Sequence, residues 1–416
     1  MNFIEICKNS KVASKDLVKL KSSEKNNILI ACSNTLLNEK DTIINANKLD
    51  IQKARENNIK ESLIDRLLLD DKRIKAMANG ILQVANLNDP LDEYIDMKVL
   101  PNGLKVGKKR VPMGVIGIIY EARPNVTSDA FAMCFKASSS VILKGGKEAL
   151  NSNKAIVDLF RKTIKNLGYN ENIVTLIEDT NRETTTNFMK MNNYVDLLIP
   201  RGSASLINAV IENSTIPVIE TGVGNCHIFI DEFANIEKAI DIVLNAKVQR
   251  PSVCNALETL LIHKNIASNI FPQLVEKLLN NNVEIRGDKT VLSICQNKKV
   301  ILATEDDWKE EFLDYILAIK CVDSIDEAIN HIQTYSTGHS ESIITENYSN
   351  YNKFVDEIDS AVVYVNASTR FTDGEQFGLG AEIGISTQKL HARGPMGIKE
   401  ITSYKYIVLG DGQIRE

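Results

Sequence analysis

Hydrophobic residues at helical spacing dominate the first 88 positions of the chain. Apolar side chains recur three or four positions apart between residues 28 and 37 and again between residues 64 and 74, a period typical of amphipathic helices. The first glycine is Gly80 and the first proline is Pro90, so no strong helix breaker interrupts the pattern before them. This region is therefore predicted to form several helices with solvated outer faces.

The pattern changes to that of a β-hairpin over Tyr94–Pro112. Two stretches, 96–100 and 104–106, flank Pro101-Asn102-Gly103, and Asn-Gly is a preferred hairpin turn. The many lysines suit a ribbon with an exposed edge. Such a ribbon either reaches a second subunit or stays at the surface as a plain hairpin, and these residues favour the two alternatives equally.

After Met113, short apolar runs alternate with helical segments, which predicts a parallel sheet wrapped by helices. The predicted strands are Val115–Tyr120, Ser140–Lys144, Ile173–Ile177, Val195–Ile199 and Pro217–Glu220. Ligands bind such sheets outside the carboxyl ends of the strands, where the polar stretches 121–125, 144–147, 201–203 and 220–225 lie. No Gly-x-Gly-x-x-Gly occurs at these turns, so the usual dinucleotide fingerprint is missing.

A second α/β region begins near Cys226. Its predicted strands are His227–Asp231, Leu257–His263, Val283–Arg286, Tyr315–Val322, Ser342–Thr345 and Ala361–Val365. Two glycines predict a hinge-like domain boundary at Gly222–Gly224. The stretch Asn366–Gly397 is rich in glycine, small polar and charged residues, and it is predicted to be a long functional loop.

These patterns predict an α/β fold with two parallel-sheet domains and a β-hairpin arm. Residues 1–93 with 113–222 form the first domain, residues 223–390 form the second, and residues 94–112 with 391–416 form the arm and tail. A chain of 416 residues is long enough for this division.

Composition and charge exclude several classes of partner. The formal net charge of −5 and the lack of a long basic run argue against nucleic acid or an anionic membrane as the main partner. The sequence has no run of about 18 apolar residues, so no membrane span is predicted. The first residues predict no secretory signal. Seven cysteines without Cys-x-x-Cys spacing argue against a disulfide framework or a structural zinc site. We expect a reduced, cytoplasmic protein.

The stretch Val248–His263 carries the first candidate for chemistry. A polar lead-in containing Arg250 and Pro251 precedes Cys254, and Leu260–Ile262 is predicted to be buried strand. Nearby donors and positive charge favour the thiolate, which is the nucleophilic form of cysteine. Alternatively, Cys254 is a small hydrophobic residue packed beneath the strand, as free cysteines often are.

Five segments carry a family resemblance. They are Tyr120–Val126, Ile219–His227, Gln249–Asn255, Tyr335–Glu341 and Asn366–Gly397. Together and in this order they resemble the aldehyde dehydrogenase superfamily, and within it the family of glutamate-5-semialdehyde dehydrogenases, also called gamma-glutamyl phosphate reductases. The resemblance implies an aldehyde dehydrogenase-like fold, with an NADP-binding first domain, a catalytic second domain and a hairpin arm for oligomerisation.

For catalysis, the resemblance implies that Cys254 is the nucleophile and that Asn125 stabilises an oxyanion together with the Cys254 backbone N–H. An amide suits this role because it donates a hydrogen bond without a titrating charge. Without the resemblance, Asn125 after Pro124 predicts only a turn residue. Glu220 matches the general base of hydrolytic members. A reductase must not hydrolyse its thioester, so Glu220 is kept as a residue lining the cofactor site, with its role open.

The resemblance also implies the residues that bind a cofactor. Lys144 matches the lysine that contacts the adenosine ribose, and Lys147 with two glycines replaces the glutamate of members that prefer NAD, which favours NADP. Gly202 and Ser203 open a predicted helix whose amides face phosphates. Glu311 aligns with the glutamate that holds the nicotinamide ribose, although Phe312-Leu313-Asp314 after it departs from the family pattern.

The implied reaction is NADPH-dependent reduction of L-glutamyl 5-phosphate to L-glutamate 5-semialdehyde and phosphate through a cysteine thioester, in proline biosynthesis, with no metal. Arginine suits carboxylate and phosphate recognition, and the candidate substrate-binding residues are Arg123, Arg201, Arg250, Arg370 and Arg393. Which arginine binds which anion stays open.

Two other functions fit the same residues. One is another aldehyde dehydrogenase, phosphate-dependent, CoA-acylating or hydrolytic, and the other is a non-catalytic nucleotide-binding protein of this fold. A glutamate 5-kinase is a candidate partner, and a homodimer or a tetramer is expected.

Overall fold

The protein is described by a computed structural model that covers residues 3–59 and 61–415, without the side chain of Ser62. The chain divides into two compact units. The first comprises Met1–Thr221, Gly378–Gly384 and Met396–Glu416, and the second comprises Gly222–Phe377 and Ile385–Pro395. The second unit begins at the predicted boundary, whereas the predicted boundary at residue 390 does not match, because the chain alternates between the units after Phe377.

Helices and strands alternate along most of the described chain. The α-helices are α1 (Phe3–Leu17), α2 (Ser22–Asn38), α3 (Lys40–Glu56), α4 (Glu61–Leu67), α5 (Asp71–Asn86), α6 (Asn125–Lys136), α7 (Leu150–Asn166), α8 (Arg182–Phe188), α9 (Ala204–Asn213), α10 (Ile236–Val248), α11 (Lys264–Asn280), α12 (Lys289–Cys295), α13 (Ile325–Tyr335) and α14 (Tyr348–Glu357). The strands are β1 (Tyr94–Val99), β2 (Lys105–Pro112), β3 (Val115–Tyr120), β4 (Ser140–Gly145), β5 (Val174–Leu176), β6 (Leu197–Arg201), β7 (Cys226–Ile230), β8 (Leu257–His263), β9 (Glu284–Gly287), β10 (Val300–Leu302), β11 (Ile316–Val322), β12 (Ser340–Ile344), β13 (Val362–Val365), β14 (Ile385–Ser386), β15 (Gly394–Pro395) and β16 (Thr402–Leu409).

The main sheet of the first unit is parallel, with the order β5-β4-β3-β6. Every residue of β3 and β4 is buried, which explains their continuous apolar runs. Gly117 in β3 leaves room for a neighbouring ring, because a Cβ there would lie 2.8 Å from Phe188 Cζ. In this parallel arrangement the carboxyl ends of β4, β3 and β6 meet along one edge of the sheet.

Four of the five strands predicted for this sheet are confirmed with small shifts of their ends, and the fifth is wrong. Within Pro217–Glu220 only Val218 forms a β-bridge, to Leu198. Leu198 pairs with the carbonyl of Pro217 and the N–H of Ile219, but Pro217 has no N–H with which to extend the ladder.

The second unit contains a seven-stranded parallel sheet with the order β10-β9-β11-β8-β7-β12-β13. All six predicted strands are present, and β10 was missed because three residues are too short to show a period. Apolar side chains of the strands pack against α10 and α11 in a core that includes Ile228, Leu260, Ile262, Leu317, Ile240, Val243, Phe271 and Leu274. The centre of this sheet is β8, which directly follows the cysteine loop.

The predicted hairpin is confirmed as β1 and β2, and β16 adds a third antiparallel strand in the order β1-β2-β16. The helices predicted for the first 88 residues are also confirmed, as α1 to α5. Between residues 366 and 397, the predicted loop contains only one short 3₁₀ turn and the two-residue strands β14 and β15. Among the described residues, no helix combines the length and apolar character that crossing a membrane requires.

Candidate active site

Cys254 lies in the turn between α10 and β8 and is half-buried. Gly224 packs directly against this turn, because a Cβ at Gly224 would lie 2.7 Å from Cys254 Cα and would collide with the Cys254 carbonyl. The buried Cys226 thiol also donates to the Cys254 carbonyl oxygen at 3.2 Å. The backbone of Cys254, the predicted nucleophile, is therefore fixed by contacts with Gly224 and Cys226 at the start of β7.

Asn255 fixes the other side of the same turn. Its side-chain amide donates to the carbonyl of Thr372 at 2.9 Å and to that of Arg370 at 3.3 Å. The Thr369 hydroxyl donates to the Asn255 carbonyl at 2.8 Å. Residues 369–372 belong to the loop that sequence analysis predicted to be functional, and these bonds tie that loop to the residue after Cys254.

Two predicted arginines lie in the same part of the second unit. The Arg370 guanidinium donates to Asn255 Oδ1 and, at 2.9 Å, to Gln249 Oε1. Burial and the neighbouring Arg250 lower the pKa of Arg370, while Cys254 raises it. Because a guanidinium stays charged in proteins, Arg370 contributes positive charge near Cys254, a setting that favours the thiolate.

Glu311 also contacts this region, and it does so through the backbone. Its Oε1 accepts the Gly224 N–H at 2.7 Å, and burial raises the pKa of its carboxyl. The structure thus uses one carboxylate oxygen of Glu311 to hold the residue that packs on Cys254. Its predicted contact with a nicotinamide ribose remains a prediction.

A buried polar network that sequence analysis missed lies behind Cys226. His339 Nδ1 is 3.6 Å from Cys226 Sγ and 2.8 Å from the Ser340 hydroxyl, which is 2.7 Å from the Thr372 hydroxyl. The Tyr364 hydroxyl completes the chain, 2.8 Å from Thr372. Burial lowers the pKa of His339 to about 4, so this imidazole is neutral at pH 7. The network therefore supports the turn that contains Cys254 through hydrogen bonds, and the neutral His339 contributes no charge to it.

In the first unit, Lys144 lies near the carboxyl end of β4 and is buried. Burial lowers the pKa of its ammonium, and Asp179 and Glu148 oppose the shift. The Glu148 carboxylate lies over Gly146, where a Cβ would be 2.6 Å from Oε2. Sequence analysis considered only residues 145–147 after Lys144, and the structure shows that the Glu148 carboxylate also lies close to this turn. Lys147 is exposed.

Gly202 and Ser203 lie before α9, as predicted, but a side chain occupies the donors of Ser203. The Ser203 N–H donates to Glu121 Oε2 at 2.9 Å, and its hydroxyl donates to Glu121 Oε1 at 2.7 Å. Gly202 permits this approach, since a Cβ there would lie 2.7 Å from Glu121 Cδ. A carboxylate at this position is favourable because a helix N-terminus attracts negative charge. Binding of cofactor phosphates here would require Glu121 to release Ser203.

Asn125 is the first residue of α6, and its side-chain amide donates to Asp129 Oδ2 at 3.1 Å, one helical turn away. Burial raises the pKa of Asp129 to about 6, while Asn125 and Arg201 oppose the shift. Sequence analysis missed Asp129, although its spacing of four residues from Asn125 places both on one helix face.

The remaining predicted residues have different settings. Arg123 is exposed after β3, Arg201 is half-buried at the end of β6, and Glu220 is half-buried after the β-bridge. Arg393 is held by Asp359, with Nη1 2.8 Å from Oδ1, so it joins two segments of the second unit. The structure therefore brings Cys254, Arg250, Arg370 and Glu311 together in the second unit, and it places Asn125, Lys144, Arg201 and Ser203 at one sheet edge in the first.

Comparison with known proteins agrees with this fold. The Aldehyde dehydrogenase family model matches residues 2–294 and 290–407, and the chain belongs to the aldehyde dehydrogenase family. The resemblance and the fold class predicted from the sequence are thus confirmed. The protein is an oxidoreductase, and membership of this family implies a nicotinamide cofactor.

Within the family, the chain is similar along nearly its whole length to gamma-glutamyl phosphate reductases. The one from Caldanaerobacter subterraneus subsp. tengcongensis is 57% identical over 98% of both chains, and the one from Caldicellulosiruptor bescii is 54% identical over 100% of both. The crystal structure of the Thermotoga maritima gamma-glutamyl phosphate reductase is 50% identical, with a TM-score of 0.98 and 100% coverage of both chains.

Proposed function

We propose that the protein reduces L-glutamyl 5-phosphate to L-glutamate 5-semialdehyde and phosphate with NADPH, as a step of proline biosynthesis. The observation that carries the proposal is the setting of Cys254, whose turn is fixed by Gly224, Cys226 and Asn255 beside the positive charge of Arg370. Full-length similarity to gamma-glutamyl phosphate reductases supports the substrate.

In the proposed reaction, the Cys254 thiolate attacks the γ-carbonyl carbon of the acyl phosphate. The carbon–oxygen bond to phosphate breaks, inorganic phosphate leaves with the bonding electron pair, and a thioester on Cys254 remains. The Asn125 amide donates to the oxyanion that forms during the attack. Arg250 and Arg370 suit the phosphate, because both are arginines near Cys254 and a guanidinium binds phosphate with paired donors.

The first unit has side chains that fit a nicotinamide dinucleotide. Lys144 is a buried cation at the carboxyl end of a parallel strand, where nucleotides bind in such sheets, and the one hydrogen bond described for its ammonium is 3.3 Å to the Gly145 carbonyl. Lys144, Lys147 and the amides at Gly202 and Ser203 would hold the cofactor. When bound, the cofactor supplies the hydride that reduces the acyl group. Exposed Lys147 favours the 2′-phosphate of NADPH, although Glu148 opposes it.

The test uses the reverse reaction, oxidation of glutamate 5-semialdehyde with NADP, with and without inorganic phosphate. We expect the reaction to require phosphate, since phosphate must release the acyl group from Cys254. Phosphate-independent oxidation would indicate a hydrolytic aldehyde dehydrogenase, and dependence on coenzyme A would indicate a CoA-acylating one.

The nucleophile is tested with Cys254→Ser. An alcohol is far less ionised than a thiol at neutral pH, so activity should fall below about a tenth of wild type while NADPH binding is retained. Buried Cys134→Ser in α6 is a matched thiol-to-alcohol control, and it should remain active. Retention of most activity in Cys254→Ser would exclude Cys254 as the nucleophile.

A further inference from the structure

Arg201 and Asp129 are two charged side chains of the first unit that act on each other without forming an ion pair. Arg201 is the last residue of β6 and is in register with Tyr120, the last residue of β3, while Asp129 lies in α6, the helix that follows β3. Burial raises the pKa of Asp129 and Arg201 lowers it, and these two described side chains form no salt bridge. Both side chains are half-buried. Two opposite charges thus lie near the same edge of the sheet without pairing with each other.

The Arg201 guanidinium is held by packing rather than by an anion. A Cβ at Gly384 would lie 2.7 Å from Arg201 Nη1 and 3.4 Å from Cζ, so the guanidinium rests on the backbone of that glycine. Among residues 3–59 and 61–415, no hydrogen bond or ion pair of this guanidinium is found, whereas Arg393, another of the candidate substrate-binding arginines, is paired with Asp359. A half-buried guanidinium without an acceptor is prepared for an anion.

Asp129 retains capacity to accept hydrogen bonds. Its Oδ2 accepts the Asn125 amide at 3.1 Å, and its Oδ1 lies 3.5 Å from the Ser128 hydroxyl, a long contact. An ionised carboxylate has about four acceptor positions, so most of them are unused. The group that would best satisfy Asp129 is a cation with several N–H donors.

We propose that Asp129 and Arg201 together bind the α-amino acid head group of the substrate. Asp129 accepts the N–H bonds of the α-ammonium, and Arg201 binds the α-carboxylate. An amino acid carries both charges on one carbon, which matches an acceptor and a cation that are near each other but unpaired. This inference rests on the proposed function and extends it, because it assigns the two head-group charges to residues and leaves Arg250 and Arg370 for the phosphate.

The experiment compares three aldehydes that differ only in the head group. Glutamate 5-semialdehyde carries both charges, 5-oxopentanoate lacks the ammonium, and 4-aminobutanal lacks the carboxylate. For Asp129→Asn, which keeps an acceptor for Asn125, kcat/KM should fall about ten- to a hundredfold with glutamate 5-semialdehyde and 4-aminobutanal and stay unchanged with 5-oxopentanoate. For Arg201→Met, the loss should occur with glutamate 5-semialdehyde and 5-oxopentanoate and be absent with 4-aminobutanal.

Asp16→Asn, a surface change in α1, is the matched control and should leave all three aldehydes unaffected. Equal losses on all three by Asp129→Asn would mean that Asp129 acts only on Asn125 or on folding, and equal losses by Arg201→Met would likewise remove Arg201 from the head-group site. Unchanged kinetics in both variants would overturn the proposal as well. If wild type oxidises none of the three aldehydes in the presence of phosphate and NADP, the proposed function itself fails, and the two failures are thus distinguishable.

Discussion

At the scale of single residues, Glu121 is the side chain that most changes the expectation for cofactor binding. It follows β3 and bonds through both carboxylate oxygens to Ser203 before α9. A carboxylate and a phosphate compete for the same donors and the same partial positive charge of a helix N-terminus. The free protein therefore has a substitute anion at the position where the sequence predicted cofactor phosphates.

We predict that Glu121→Ala strengthens NADPH binding. Removing the carboxylate frees the Ser203 N–H and hydroxyl, so the Kd for NADPH should fall by about three- to tenfold, as measured by fluorescence titration of the cofactor. Glu183→Ala, an exposed glutamate in α8, is the control. Unchanged or weaker binding in Glu121→Ala would show that the cofactor does not use these donors.

The proposed preference for NADPH over NADH can be tested at Lys147. Because its side chain is exposed and its charge is screened by water, we expect Lys147→Glu to raise the KM for NADPH only about tenfold, with little change for NADH. Lys190→Glu, also exposed, should alter neither value. Steady-state kinetics with both cofactors measure the difference, and equal effects on NADPH and NADH would mean that the 2′-phosphate is recognised elsewhere.

At the scale of elements, the connection between α10 and β8 determines where Cys254 lies. A buried ion pair joins the end of α10 to the start of β8, on either side of this connection. Lys247 near the end of α10 is 2.6 Å from Glu258 in β8, with both side chains fully buried. Burial lowers the pKa of Lys247 and raises that of Glu258 to about 7. Both shifts show that the surroundings disfavour each charge by itself, so the pair depends on both partners.

We predict that Lys247→Met lowers the free energy of unfolding by about 3–5 kcal/mol, because it leaves a buried carboxylate without its counter-ion. The double variant Lys247→Met with Glu258→Gln should recover most of this loss, and the glutamine keeps an acceptor for the Leu313 N–H that Glu258 now accepts at 3.2 Å. Urea unfolding followed by circular dichroism measures both. A double variant as unstable as the single one would show that packing, not charge, explains the loss.

At the scale of the whole molecule, the three-stranded sheet bears on assembly. β1 is exposed along its entire length, and apolar side chains remain in water on two of its strands, with Val99 66% and Val408 56% exposed. A sheet with exposed apolar residues and an unpaired edge strand is a surface that favours association. These features support the homo-oligomer predicted from the sequence, which remains a proposal.

We predict that deleting residues 98–109 shifts the protein towards monomer in light scattering. Since this deletion also removes the partner of β16, the double variant Val99→Glu with Val408→Glu provides a second test that keeps all strands. Val12→Glu, at an exposed position of α1, is the control. An unchanged mass in the double variant would leave the sheet as a plain surface feature.

Among the features discussed, those set by local pattern were predictable from the sequence. Apolar spacing and turn residues act over a few positions of the chain. They predicted the helices before residue 88, the hairpin at Asn102-Gly103 and ten of the eleven strands proposed for the two parallel sheets. Cys254, the turn before β8 and the family were likewise apparent from contiguous motifs. The failures, Pro217–Glu220 and β10, are segments whose pairing is too short to impose a period.

Only the tertiary structure decided which side chains meet. Ser203 bonds to Glu121 from 82 residues away, and Arg370 bonds to Asn255 from 115 away. Neither pair leaves a trace in the spacing of apolar and polar positions. A contact between distant residues depends on where the parallel strands end along a shared edge, and therefore on strand order, which periodicity does not encode. The sequence by itself determined the elements and the motif that contains the proposed nucleophile, and the fold determined the partners of each charge.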